Sequence, residues 1–168
     1  MLSIYQNPFI FNSFLSIYLR SVYRRNLNLL FTEDISNYEV VELCCGTCFF
    51  TKKKLFNAKK YIGYDFNKKF VDYLNKKYFV KNKVSFEVIN LYKQFPNVSS
   101  DYYIILQGLY HFKNNNLISA IDLLDLMMNK SKKGVFIVEG IKNVFNEGSF
   151  FLKHLLAELK NPGTGPQY

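Results

Sequence analysis

The sequence is short of several things, and each shortage removes a class of protein. It holds no tryptophan and only three cysteines, Cys44, Cys45 and Cys48, all within five residues. Thiols bunched in this way cannot staple a fold, so a disulfide framework is excluded and a reducing, cytoplasmic setting is expected. No fourth donor stands at a standard spacing from them, so no metal site is expected. Long apolar runs are also missing. The longest candidate, residues 9–19 (FIFNSFLSIYL), is interrupted by Asn12 and Ser13, follows no basic segment and precedes no small-residue cleavage site. It is too short to span a bilayer and lacks the flanks of a secretory signal, so no membrane contact is expected. There are no internal repeats, and no linker splits the chain.

What remains is a chain of 168 residues, 49% hydrophobic and 21% charged, which reads as a single domain with a real core. Aromatic content is 18%, all Phe and Tyr, and the net charge is +9. Abundant Lys, Asn and Ile point to a coding sequence rich in A and T, which is enough to account for that charge. The charge is nevertheless uneven. Lys52 to Lys83 holds 11 of the 22 basic residues against two acids, Asp65 and Asp72. Such a stripe suits nucleic acid, an acidic substrate or an anionic membrane; its commonest origin is the solvated face of two helices.

Asn7-Pro8 is a helix start, Asn as cap and Pro at the first helical position. The spacing predicts a helix from there to about Leu30, with Phe11, Phe14, Leu15, Tyr18, Leu19 and Val22 on one face. Strands are predicted at 39–45, 61–65, 84–90, 102–108 and 134–139. Helices are predicted at 47–57, after the cap Asn67, at 117–128 and at 145–160, the last ended by Asn161-Pro162-Gly163. The strands are continuous and apolar rather than alternating, which argues for a parallel sheet covered by helices on both faces.

The richest stretch is VVELCCGTCFFTKKKL, residues 40–55, followed by YIGYD ending at Asp65. A strand enters a small-residue turn and a helix, and a second strand closes on an acid 19 residues after Gly46. This is the layout of a nucleotide-binding βαβ unit, in which the turn and the helix start offer free N–H groups and the acid takes the ribose.

On these residues nearly the whole chain resembles a class I S-adenosylmethionine-dependent methyltransferase. Glu42-Leu43-Cys44-Cys45-Gly46-Thr47-Cys48 stands where that family carries D-L-G-C-G-T-G. The resemblance implies an α/β, Rossmann-like fold whose turn wraps the methionine part of S-adenosyl-L-methionine. It implies cofactor contacts from Glu42, Cys44, Gly46 and Cys48. It implies that Asp65, with Phe66 beside it, holds the ribose hydroxyls. Asn90 stands where an acid normally meets the adenine amino group, with the Leu91 N–H facing the ring. ILQGLYHF ends the fourth strand, so Gln107, Gly108, Tyr110 and His111 fall where the cofactor's amino group meets the substrate. His111 is the candidate general base and Tyr110 its companion. Residues 1–31 become an N-terminal lid helix, with Tyr5, Phe9 and Tyr18 over the pocket, and 38–168 the core. The expected activity is methyl transfer to a small molecule, with RNA as a less favoured acceptor.

The sequence departs from the pattern in two ways. Cys48 replaces the last glycine of the turn, from which a weakened cofactor site is expected. The family also adds two strands after the last helix, and no segment up to Tyr168 offers them, so a sheet lacking that pair is expected. Two other readings compete. Cys45-Gly46-Thr47-Cys48 is a C-x-x-C at a helix start, as in thiol–disulfide proteins. A methyltransferase-like module that binds without turnover is the other.

Overall fold

The structure, a computed structural model, describes residues 6–18, 34–49, 51–112 and 117–138. The chain divides after Val138 into two units, and every described residue belongs to the first. The predicted helix 145–160 with Asn161-Pro162-Gly163 after it, the segment on which the expected lack of a C-terminal strand pair rests, and residues 19–31 of the predicted first helix lie outside the described residues.

Helix α1 spans Pro8–Tyr18, its Asn7 side chain accepting the Phe9 N–H at 2.9 Å. There follow β1 (Glu39–Leu43), the short α2 (Lys52–Leu55), β2 (Lys60–Asp65), α3 (Lys68–Tyr78), β3 (Val84–Val88), β4 (Ser100–Leu106), a 3₁₀ turn (Leu109–His111), α4 (Ala120–Lys130) and β5 (Ser131–Val138). The five strands form one parallel sheet in the order β3-β2-β1-β4-β5. The strand order reverses between β1 and β4. In a doubly wound sheet, that is where ligands lie, beyond the strand C-termini.

Both faces of the central strands β1, β2 and β4 are buried, which is why those strands read as apolar runs. Alternate residues separate cleanly. Val40, Tyr61, Val84, Phe86 and Ile104 meet Leu55, Val71 and Leu74 on one face. Val41, Leu43, Ile62, Tyr64, Tyr103 and Ile105 meet Leu123 and Met127 on the other. Leu74 is fully buried, so Leu74→Ala should cost about 3 kcal/mol through lost transfer energy plus a cavity. A urea midpoint unchanged by that substitution would contradict this packing.

The helix starts follow their side chains. Asn67 caps α3 by accepting the Lys69 N–H, and Ser119 with Asp122 forms a reciprocal capping box at α4. That box starts α4 at Ala120, three residues beyond the predicted start at Leu117. α2 is far shorter than the predicted 47–57. Cys48 is left-handed (φ 50°), so the chain is still turning where helix was expected. β3 is an edge strand, and α3 protects it: Asn75 Nδ2 donates to the Phe86 carbonyl and its Oδ1 accepts the Phe86 N–H.

Candidate functional site

The turn after β1 is built from residues in unusual backbone geometry. Cys44, Gly46 and Cys48 have φ of 53°, 55° and 50°. Left-handed residues at every second position turn successive N–H groups toward one concave side, the arrangement that cradles anions. A non-glycine residue held there costs about 1–2 kcal/mol, so Cys44 and Cys48 keep a conformation that glycine would adopt freely.

Asp65, at the end of β2, clamps this turn. Its carboxylate accepts the Gly46 N–H and the Asn67 N–H, each at 2.8 Å. One acid thus ties the turn after β1 to the start of α3. Burial raises its pKa to about 6, against the lowering effect of those N–H groups. Phe66, next to it, is exposed.

Glu42 and Cys48 lie beneath the turn, in the core. Glu42 accepts the Tyr61 O–H, and Cys48 Sγ is 3.2 Å from the same hydroxyl. Gly63 makes room for this group: a Cβ there would meet Cys45 Sγ at 3.0 Å and the Tyr61 hydroxyl oxygen at 3.1 Å. Burial raises the Glu42 pKa to about 7. It also drives the Cys45 thiol well above its usual range and pushes the Cys48 thiol up. A disulfide-exchange thiol needs the opposite, so the C-x-x-C reading loses its chemical basis.

At the end of β3, Asn90 Oδ1 accepts the Tyr92 N–H at 3.0 Å, holding the loop that carries Leu91. Leu91 is buried, and among the described residues its N–H has no partner. At the end of β4, Gln107 is also left-handed (φ 52°), and its N–H donates to the Val138 carbonyl. Gly108 packs this end against the turn; a Cβ there would lie 2.9 Å from Cys44 Cβ. His111 follows in the 3₁₀ turn, with Tyr110 beside it in the chain. Burial lowers the His111 pKa to about 4, so its imidazole is neutral at pH 7.

Helix α1 covers the turn from above. Thr47 donates its hydroxyl hydrogen to Asn12 Oδ1, and a Cβ on Gly46 would touch Phe11 at 3.7 Å. Phe11 and Phe70 rings stack at a tilt, 5.0 Å apart, fixing α1 to α3. Tyr5 and the Tyr18 side chain lie outside what is described.

Asp65, Gly46, Cys44 and Gly108 are therefore joined by direct contacts, and Asn90, Leu91 and Gln107 hold the neighbouring strand ends. Glu42 and Cys48 support the turn from below. Three features were missed from sequence: the Tyr61 hydroxyl bridging Glu42 and Cys48, the Asn12–Thr47 bond, and the left-handed Gln107. Tyr61 alone carried a signal, a hydroxyl on a strand otherwise buried.

No protein-family model matches the chain, and no curated protein matches it by sequence. Solved structures do resemble it. DhpI in complex with SAM and HEP superposes with a TM-score of 0.67 at 18% identity, over 99% of this chain and 71% of DhpI. Phosphoethanolamine N-methyltransferase 1 of Haemonchus contortus, in complex with phosphoethanolamine and S-adenosylhomocysteine, gives 0.57 at 16% identity, over 74% of this chain. The chain spans 26% of that protein's length. An S-adenosylmethionine-dependent methyltransferase from Mesorhizobium loti gives 0.51 at 16% identity, over 68% of this chain and 52% of its own. Among the described residues no helix is long and apolar enough to cross a membrane, and no cluster of His, Cys, Asp or Glu is arranged to hold a metal ion. With five parallel strands in the order 3-2-1-4-5 and a turn clamped to the acid of β2, this chain has the fold of the class I S-adenosylmethionine-dependent methyltransferases.

Proposed function

We propose that the chain transfers a methyl group from S-adenosyl-L-methionine to a small-molecule acceptor, leaving S-adenosylhomocysteine. The observation that carries this reading is the Asp65 clamp: a buried carboxylate at the end of β2, bonded to the left-handed turn at Gly46. The site fits such a cofactor on its own chemistry. The Thr47 and Leu91 N–H groups lack partners among the described residues, and donors of this kind suit a carboxylate and a ring nitrogen. Asp65 retains acceptor capacity for the ribose hydroxyls. Asn90 and Leu91 would hold the adenine, and Gln107 the amino group. The cofactor brings a methyl group already activated on sulfonium sulfur. What this chain supplies is position, and the shielding that α1 gives the turn.

His111 is suited to a limited part in this. A base with a pKa near 4 removes protons weakly at pH 7, so the acceptor is one that arrives unprotonated. Two of the structural neighbours were captured with small ligands, phosphoethanolamine and HEP, which supports a small acceptor here.

The test is transfer of labelled methyl from S-adenosylmethionine to a panel of small amines and phosphorylated compounds, with release of S-adenosylhomocysteine as the readout. Product formation that disappears with Asp65→Ala supports the reading. Release without a labelled product, or no release from a chain that binds the cofactor, refutes turnover. Cys48 tests the turn separately. Its sulfur faces the core, so Cys48→Gly should leave cofactor affinity within about threefold while easing the left-handed strain. A large change in affinity would place the thiol within the cofactor site.

A further inference from the structure

We propose that the face formed by α1, α2 and α3 is a docking surface for single-stranded nucleic acid. This rests on the surface alone and not on the methyl-transfer reading. Six side chains form a continuous run, four rings linked by two ammonium groups. The Phe9 ring meets Tyr73 edge-on at 6.0 Å. Lys77 Nζ sits 5.4 Å from the Tyr73 ring and 5.3 Å from the Tyr78 ring. Lys52 Nζ sits 5.6 Å from the Tyr78 ring and 5.5 Å from Phe49. Both lysines also donate to hydroxyls, Lys52 to Tyr78 at 3.3 Å and Lys77 to Tyr73 at 3.2 Å.

Rings hold these ammonium groups in place without cancelling their charge. A lysine fixed beforehand loses less freedom on meeting an anion than one that sways in water. The two acids within the stripe do not compete. Asp65 is buried and bonded to the turn, and Asp72 is paired with Lys68 at 2.7 Å. Lys53, Lys69 and Lys76 are exposed on the same two helices. A row of fixed cations next to an open aromatic ring is what a strand of phosphates and unpaired bases requires. Phe9, 70% exposed, offers that ring. An acyl layer would instead call for apolar side chains uppermost, with the cations at their margin.

The experiment is fluorescence anisotropy of a labelled mixed-sequence single-stranded RNA titrated with the full chain at several salt concentrations. Each phosphate neutralised on a single strand contributes about 0.7 to the slope of log affinity against log salt. The double variant Lys52→Gln with Lys77→Gln should therefore lower that slope by about 1.4. Lys130→Gln with Lys132→Gln removes the same charge from the end of α4 and the start of β5, at the opposite edge of the sheet, and should leave the slope unchanged. Phe9→Ala should reduce affinity roughly tenfold with the slope intact. Equal effects of the two lysine pairs would mean diffuse attraction and overturn the proposal. So would absence of RNA binding, or binding only to anionic phosphatidylserine vesicles. Binding of S-adenosylmethionine by each variant, or failing that its circular dichroism, checks the fold.

Discussion

Replacing Asp65 by alanine is expected to weaken S-adenosylmethionine binding by roughly a hundredfold or more. Two hydroxyls donating to one carboxylate contribute about 1.5–3 kcal/mol each, and both are lost together. The same change also loosens the protein. It strips the Gly46 and Asn67 N–H groups of their acceptor, at about 1–3 kcal/mol, so a lower melting temperature accompanies the lost binding. Asp65→Asn separates the two effects, since it keeps one acceptor oxygen and cannot ionise. In the native chain the carboxyl titrates near pH 6, and ribose hydroxyls prefer its ionised form. Affinity should therefore fall as pH drops through 6, by up to about tenfold per pH unit, and Asp65→Asn should be flat over that range. A pH-dependent Asp65→Asn variant would assign the titration to another group.

The second large effect is on stability and belongs to Glu42. Its pKa is about 7 in the folded chain against an ordinary 4.5. The folded state holds the proton more tightly, so its stabilising contribution is complete below pH 4.5 and is lost as pH rises through 7. At 1.36 kcal/mol per unit this is a decline of about 3 kcal/mol. Two other groups titrate nearby. Asp65, raised to about 6, has the same sign over a lower window. His111, lowered to about 4 from 6.5, has the opposite sign: its contribution is present above pH 6.5 and lost as pH falls through 4. These two shifts are similar in size and largely cancel between pH 4 and 6, leaving Glu42 to set the slope. Glu42→Gln keeps a carbonyl for the Tyr61 O–H and cannot ionise. Urea unfolding at pH 5 and pH 7.5 should show wild type losing stability and Glu42→Gln losing little. Equal losses in both would remove Glu42 as the cause.

The succession of strands along the chain was readable because it depends on local composition. Strands buried on two faces must be largely apolar, and those at 39, 61 and 102 are; at 84 the run VSFEV alternates, as an edge strand with an exposed end can. A cap such as Asn67 announces its helix by residue type. The β5 start was less legible, because Ser131-Lys132-Lys133 is polar and joins the strand directly from α4. The turn was harder still. With one glycine in five residues it looked degraded, yet Cys44 and Cys48 adopt the left-handed geometry that glycine would supply. Nothing in a residue's type says that surrounding contacts will hold it there. The Glu42–Tyr61 bond and the Lys52–Tyr78 and Phe9–Tyr73 contacts are long-range meetings. Neither member of any of them carries a pattern that names its partner.

The central claim is that the turn and Asp65 form a cofactor site. Calorimetric titration of the reduced chain with S-adenosylmethionine, and separately with S-adenosylhomocysteine, tests it most directly. Saturable one-to-one binding of both, abolished by Asp65→Ala, is expected. A folded chain that takes up neither, or that binds them equally well without Asp65, would contradict it.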